Sequence, residues 1–255
     1  MLRPRIIPTL LIEQDYLVKT VRFKYDKYIG DPINTLRLFN EKEVDEIVFL
    51  DISASKRKVE PNYDLIKDLA SECFMPMSYG GGIANLKQIE KILNIGIEKI
   101  VVNTQAIQNK TFLKEAVENF GSTTIIGAVD VKRNFFNKAE VFSHAVNKST
   151  GIKASEYIER ILEDGVGEIF INDVDRDGTY TGYDLNFIKK LSDSMEVPMI
   201  ICGGASGYDD LTKALAAGAS AVAAGSIFIF NGPHRAVLIT YPGEEDFKMF
   251  AKKAE

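Results

Sequence analysis

The chain has 255 residues, 45% hydrophobic and 26% charged, which are values of a folded globular protein and exclude a disordered or fibrous one. Lys and Arg number 31 against 36 Asp and Glu, a net charge of −5 that argues against a polyphosphate-binding surface and against nucleic acid as a partner. Two cysteines, Cys73 and Cys202, make no disulfide framework and point to a reduced, cytoplasmic protein; two scattered histidines, His144 and His234, offer no metal site.

In chain order, the first apolar run (6–12) follows Arg3 and Arg5. Pro8 interrupts it, and Glu13 and Asp15 follow, so it reads as a strand and not as a leader. Short β-branched runs then alternate with helix-period segments, the pattern of a parallel sheet with crossover helices. Strands are expected near 5–12, 46–52, 77–79, 99–103, 124–130, 168–172, 199–202 and 221–224. Helices are expected over 86–95, 110–120, 154–163, 186–194 and 208–217, with Asn85 and Ser155 as caps. Two stretches exceed the minimal unit: a polar loop at 13–31, rich in Lys and Tyr, and 133–151, where FFNKAEVFSHA reads as a small hairpin. The weakly polar run 214–230 carries Gly218, Ser220, Gly225 and Ser226 and reads as a strand with its loops, not a membrane span. Eight strands with intervening helices in this length make one α/β domain, a (β/α)8 TIM barrel over 1–255.

A half-length repeat supports the barrel over an open doubly wound sheet. MPMSYGGGI at 75–83 matches VPMIICGGA at 197–205, pairing Gly81 with Gly203 and Gly82 with Gly204 at an offset of 122 (203 − 81). The same offset carries Asp51 in FLDIS onto Asp173 in INDVD, and Gly96 onto Gly218. Two half-barrels, about 1–120 and 121–240, are the expectation; reused turns are the alternative.

Barrel active sites are built from strand ends and the loops that follow them. Gly81, Gly82, Asn103 and Thr104 form one constellation there, and Gly203, Gly204, Gly225 and Ser226 the other, with Gly178 beside them. Glycine at a strand end lets backbone approach a ligand, and free N–H groups suit phosphate, so a ligand phosphorylated at both ends is expected. Asp130 is the best placed group for proton transfer, with Asp175 and Asp177 of DRDGT as further pocket candidates; the run KRK at 56–58 reads as a solvated loop. At the opposite face Arg5, Glu46, Lys99 and Glu168 stand at strand starts, two cations and two anions able to neutralise one another in a ring. A structural salt-bridge plug is the plainer reading of that ring from the residues alone.

RIIP at 5–8, VFLDIS at 48–53, GGGI at 80–83, VNTQA at 102–106, DRDGTYTGYD at 175–184 and the C-GG-A turn at 202–205 resemble the HisF family, the cyclase subunits of imidazole glycerol phosphate synthase, over about residues 1–230. The resemblance implies a heterodimer with a HisH-like glutaminase at the bottom of the barrel, whose ammonia crosses to a bisphosphorylated substrate at the top. It implies an ammonia gate of Arg5, Glu46, Lys99 and Glu168, a partner contact at Glu98, an organising loop lysine at Lys19, and Asp130 as one of two catalytic aspartates. No cofactor is implied for this chain.

The other aspartate is missing, because IIPTLLI puts Leu11 where the family carries it. Leucine exchanges no proton, and general acid–base catalysis contributes roughly 10²–10⁴-fold, so ordinary cyclisation should be severely impaired. The segment HRAVLITYP at 234–242 also departs from the family in lacking a polar amphipathic final helix. LVKTVRFK (17–24), DPINTLRLFNEKEVDE (31–46), CFMPMSYGGGI (73–83), AVAAGSIFIF (221–230) and HRAVLITYP resemble a divergent HisF-like branch associated with surface-polysaccharide gene sets. That branch implies a role with a HisH-like glutaminase and an ATP-dependent sugar amidotransferase, converting an acetamido to an acetamidino group on a nucleotide-activated sugar. Any ATP would belong to that partner. Two other readings stay open: a genuine cyclase of histidine biosynthesis in which Asp51 or Asp177 replaces the missing acid, and a scaffold that activates the glutaminase without channelling.

Overall fold

The computed structural model describes residues 4–24, 27–232 and 234–253, with 251–253 as helical backbone alone. Arg3, and Tyr25 and Asp26 within the long first loop, lie outside the described residues.

Eight parallel strands close on themselves. β1 (Arg5–Glu13), β4 (Ile47–Asp51), β5 (Met77–Gly80), β6 (Lys99–Val102), β7 (Ile125–Arg133), β10 (Glu168–Asp173), β11 (Met199–Cys202) and β12 (Ala221–Ala224) pair in that order, and β12 pairs back to β1 through Arg5↔Ala221 to Pro8↔Ala224. This is the (β/α)8 barrel the alternating pattern predicts. Its helices include α1 (Pro32–Glu41), α3 (Tyr63–Glu72), α4 (Leu86–Ile95), α6 (Phe112–Phe120), α7 (Ala154–Glu163), α8 (Leu185–Ser192) and α9 (Tyr208–Ala216). Short helices α2 (Ala54–Arg57), α5 (Thr104–Gln108) and α10 (Ser226–Ile229) sit in loops at the carboxyl ends of strands. Among the described residues no helix is long and apolar enough to cross a membrane.

Two apolar layers follow from strand alternation. Inward-facing Ile7, Val48, Val101, Ile126, Phe170 and Ile200 fill the barrel, and outward-facing residues such as Phe49 and Ile100 pack under the helices with Phe39, Leu69 and Ile92. Asparagine and aspartate caps set the helix starts: Asn85 Oδ1 accepts from Gln88 N at 3.1 Å, and Asp31 does the same for Asn34 N at 2.7 Å with Pro32 next to it.

The glycine pair reproduces the 122-residue offset in its contacts. A Cβ on Gly81 would come within 2.3 Å of the Asp51 carbonyl oxygen, and one on Gly203 within 2.7 Å of the equivalent Asp173 oxygen. Both pairs have positive φ, at 117° and 69° for Gly81 and Gly82 and 99° and 111° for Gly203 and Gly204.

Three local expectations are corrected and one is extended. The polar stretch 13–31 is not a plain loop: β2 (Tyr16–Lys19) folds back on β1 through Leu11↔Val18 and Ile12↔Leu17, and β3 (Lys27–Gly30) adds to it. The edge residues of this hairpin face solvent, so polar Lys and Tyr suit a strand there. The hairpin expected within 133–151 is present and longer than expected: β8 (Ala139–Ser143) turns back on β7, and β9 (Lys148–Lys153) turns back on β8. Ser155 is no cap; α7 starts at Ala154, directly after β9, with Lys153 at the cap position and no side-chain cap bond. After 234–242, where no final helix was expected, a helix does follow: α11 (Glu244–Lys253) packs on α9, with Phe247 and Phe250 buried.

Replacing Asn85 by alanine removes the α4 cap and should cost about 1 kcal/mol, lowering the thermal midpoint by roughly 2–4 °C in a calorimetric scan. An unchanged midpoint would show that α4 is held by packing alone.

Candidate active site

Each end of the barrel gathers charged or polar side chains. At the amino-terminal end the four charges predicted from strand starts meet. Arg5 Nη1 lies 3.1 Å from Glu46 Oε2 and 3.1 Å from Glu168 Oε1, and Lys99 Nζ lies 2.7 Å from Glu168 Oε1 and 3.8 Å from Glu46 Oε1. Arg5, Lys99 and Glu168 are the first residues of their strands, and Glu46 stands one residue before β4. Burial pushes the Glu46 carboxyl up, opposed by Lys99 and Arg5, so two cations and two anions share a partly desolvated space in which each is paired. Glu98, next to Lys99, is exposed at the rim of this end.

At the carboxyl end, Asp130 near the end of β7's barrel segment borders a cavity of about 100 Å³ with Leu11, Leu50, Gly81, Gly82, Asn103 and Asn172. Burial pushes its carboxyl up to about 7, against a 2.8 Å hydrogen bond from Asn103 Nδ2 that favours the ionised form. Such a group exchanges protons near neutrality, which suits general acid–base work. Asn103 thus holds the acid. Thr104 opens α5 and Ser226 opens α10, again 122 residues apart (226 − 104), and Gly82 N donates to Ser55 Oγ at 3.3 Å.

A second, smaller cavity of about 30 Å³ brings together Lys19, Asp177, Gly178, Gly203, Gly204, Gly225 and Ser226. Lys19 Nζ donates to the Thr9 carbonyl at 2.8 Å, and burial lowers its ammonium to about 8 against the pull of Asp177. Gly225 makes room here: a Cβ would fall 1.8 Å from Lys19 Nζ and 2.9 Å from the Thr9 carbonyl oxygen, so the lysine would have to move. Gly178 is required: its Cβ would lie 2.3 Å from the Thr20 carbonyl oxygen, and Thr20 Oγ1 donates to Asp177 Oδ2 at 2.8 Å, closing the first loop against DRDGT.

Leu11 and Asn172 line both cavities. Leu11 thus presents hydrocarbon to the cavity of Asp130 and to that of Lys19 and Asp177. Of the two acids considered as substitutes, Asp51 is engaged in the following turn, its Oδ1 accepting from Ser53 N, Ser53 Oγ and Ala54 N at 2.8–2.9 Å. Asp177 lies in the smaller cavity, its carboxyl pushed up by burial. Asp175 serves structure by accepting from Arg133 N at 2.8 Å, and the KRK run at 56–58 is exposed.

The sequence reading missed Thr9, Thr20, Asn172, Phe23 and His144. Phe23 and His144 roof the larger cavity edge to face, 5.2 Å apart, and His144 Nε2 donates to the Ile52 carbonyl at 3.2 Å. Asn172 was legible as an isolated polar residue at an inward position of a buried strand; Phe23 and His144 carried no signal before their hairpins were known. Among the described residues no group of three or more His, Cys, Asp or Glu is arranged to hold a metal ion.

A closed barrel with a buried carboxyl poised near neutrality, two glycine turns at its mouth and a charge ring at its foot defines a (β/α)8 protein with its candidate site at the carboxyl ends of the strands. The family model described as "Histidine biosynthesis protein" matches residues 5–234. The chain is 46% identical over 243 residues to a Pseudomonas aeruginosa protein named, provisionally, imidazole glycerol phosphate synthase subunit hisF2, covering 95% of this chain and 97% of that one. It is 47% identical over 248 residues to a provisionally named HisF subunit of Leptospira interrogans, covering 96% and 98%. With the imidazole glycerol phosphate synthase subunit HisF of Streptomyces avermitilis it shares 38% over 227 residues, covering 89% and 90%. The chain belongs to the histidine biosynthesis protein family, as a HisF-like member.

Because Asp130 is held protonated well above its ordinary range of about 3.8, its contribution to stability is complete at low pH and is lost as pH rises toward 7. Asp130→Asn should therefore gain on the unmodified protein between about pH 4 and 7, by at most about 4 kcal/mol, and stay level above that. Urea melts across this range check it; parallel stability curves would refute the raised carboxyl.

Proposed function

We propose that this chain is the ammonia-receiving synthase subunit of a glutamine amidotransferase complex whose acceptor is a nucleotide-activated acetamido sugar of surface-polysaccharide biosynthesis. A HisH-like glutaminase would dock on the end that carries Arg5, Glu46, Lys99, Glu168 and Glu98. Ammonia would enter through the ring, cross the barrel as the neutral molecule and emerge beside Asp130. An apolar interior of Ile7, Val48, Val101 and Phe170 suits that species, since an ammonium ion would shed its hydration with no partner to replace it. An ATP-dependent sugar amidotransferase would activate the amide oxygen as a leaving group, and ammonia would supply the new nitrogen.

The observation that carries the reading is Leu11. It lines both cavities of the mouth, at the position where the HisF resemblance implies a carboxylate, so that the acids left near Asp130 are Asp51, tied into its turn, and Asp177, while the charged ring remains complete. Gly203, Gly204, Gly225 and Ser226 with Lys19 would still hold a phosphate-bearing ligand, and Gly81, Gly82 and Thr104 a second.

A genuine cyclase is the second reading, favoured by the names of the HisF relatives and by buried Asp177 as the substitute acid. Turnover of the ribulosyl intermediate of histidine biosynthesis, with nitrogen supplied as ammonium salt, separates the two. The proposal expects negligible turnover, and Leu11→Asp should raise it tenfold or more by restoring a carboxylate opposite Asp130. Robust turnover by the unmodified chain, with little gain from Leu11→Asp, would establish the cyclase instead.

A further inference from the structure

The segment 234–242, which also departs from the family pattern, ends on the charged ring's own strands. Leu238 N and Thr240 N donate to the Ile229 and Phe228 carbonyls at 2.9 Å, fastening the segment to α10. Tyr241, 9% exposed, then lies against Phe228 and Phe247 at 5.7 and 6.0 Å between ring centres. Its hydroxyl donates to the Ile6 carbonyl at 2.8 Å, with a carboxylate oxygen of Asp45 at 3.2 Å, and accepts from Asp45 N at 3.4 Å. One proton serves both acceptors, and the shorter contact to Ile6 takes it.

The register explains why a side chain is needed there. Strands β1 and β4 begin to pair only at Thr9↔Val48, so the chain before these residues has no ladder bond between the two strands. The Tyr241 hydroxyl fills this gap as a rung, joining Ile6 on one strand to Asp45 just before the other. Ile6 adjoins Arg5, and Asp45 adjoins Glu46. The two residues it joins are thus the immediate neighbours of the Arg5–Glu46 ion pair, whose 3.1 Å contact depends on the separation of those strand starts.

We propose that Tyr241 is a positioning residue for the charged ring: by bridging Ile6 and Asp45 it fixes the spacing of Arg5 and Glu46 and hence the width of the entrance they frame. As part of an ammonia entrance this rests on the function proposed above. As a statement about the ring it does not, and the test reads the ring alone.

Glu46 faces Arg5, Lys99, Glu168 and the Ser78 hydroxyl. Its carboxyl midpoint, followed by carbon-13 NMR in the full chain, should rise by about half a pH unit or more in Tyr241→Phe, because the opposing effect of Arg5 weakens when the strands part. Tyr208→Phe is the control, removing another hydroxyl from the same aromatic cluster, where Tyr208 lies 6.2 Å from Phe250. It should leave the Glu46 midpoint unchanged. In the unmodified protein the Asp45 amide should exchange more slowly than its exposed neighbours, a readout independent of whether the variant folds. An unmoved Glu46 midpoint in Tyr241→Phe, an equal shift in Tyr208→Phe, or fast exchange at Asp45 would each overturn the positioning role. If the ammonia reading alone fails, the Glu46 shift remains.

Discussion

Closure of the barrel forces charges from distant parts of the chain into one small space, and the ring at its foot is where that constraint is met. Arg5 and Glu168 are 163 residues apart in sequence yet in hydrogen-bond contact, because β1, β6 and β10 all begin at the same end of one closed sheet. Charges crowded there are partly withdrawn from water, the Glu46 carboxylate most of all, and each would be costly alone. Arg5 paired to two carboxylates, and Lys99 to the same two, satisfies all four and leaves a polar constriction over an apolar interior. Removing any one partner strands a charge, so the ring behaves as a unit.

The opposite end obeys a different balance. There the acid is held by burial and one amide, not by an ion pair, so Asp130 exchanges a proton near neutrality while Asn103 limits how far it is pushed. Lys19 has gone the other way, to about 8, packed against a glycine that leaves room only for its ammonium. Leu11 lines the cavities of both groups with hydrocarbon. On the Asp130 side the other titratable groups are tied up, Asp51 in its turn and His144 on the Ile52 carbonyl, so Asp130 is the acid there with a carboxyl poised near neutrality.

Much of this was legible in the sequence. Short β-branched runs alternating with helix-period segments located all eight barrel strands, and β11 and β12 fall on the expected bounds. The ring was legible because strand starts at one end of a barrel converge whatever their separation in sequence. The first hairpin was missed because YLVK is only four residues long within a polar stretch, and KYIG is an edge strand with Lys27 and Tyr28 in solvent, where polar residues carry no strand signal. Ser155 misled because β9 runs directly into α7, leaving no separate cap residue. Tyr241 lay beyond reach for a different reason: its bond to Ile6 spans 235 residues, and nothing local in a Thr-Tyr-Pro run announces a distant backbone acceptor.

The most direct test of the central claim, that the barrel and its ring persist while the two-carboxylate chemistry is gone, is complementation. The chain is expressed with its own glutaminase in a histidine auxotroph that lacks the cyclase subunit. The account predicts no growth without histidine from a soluble chain that binds the glutaminase. Growth would contradict it, showing that a mouth with Leu11 still completes the cyclase reaction.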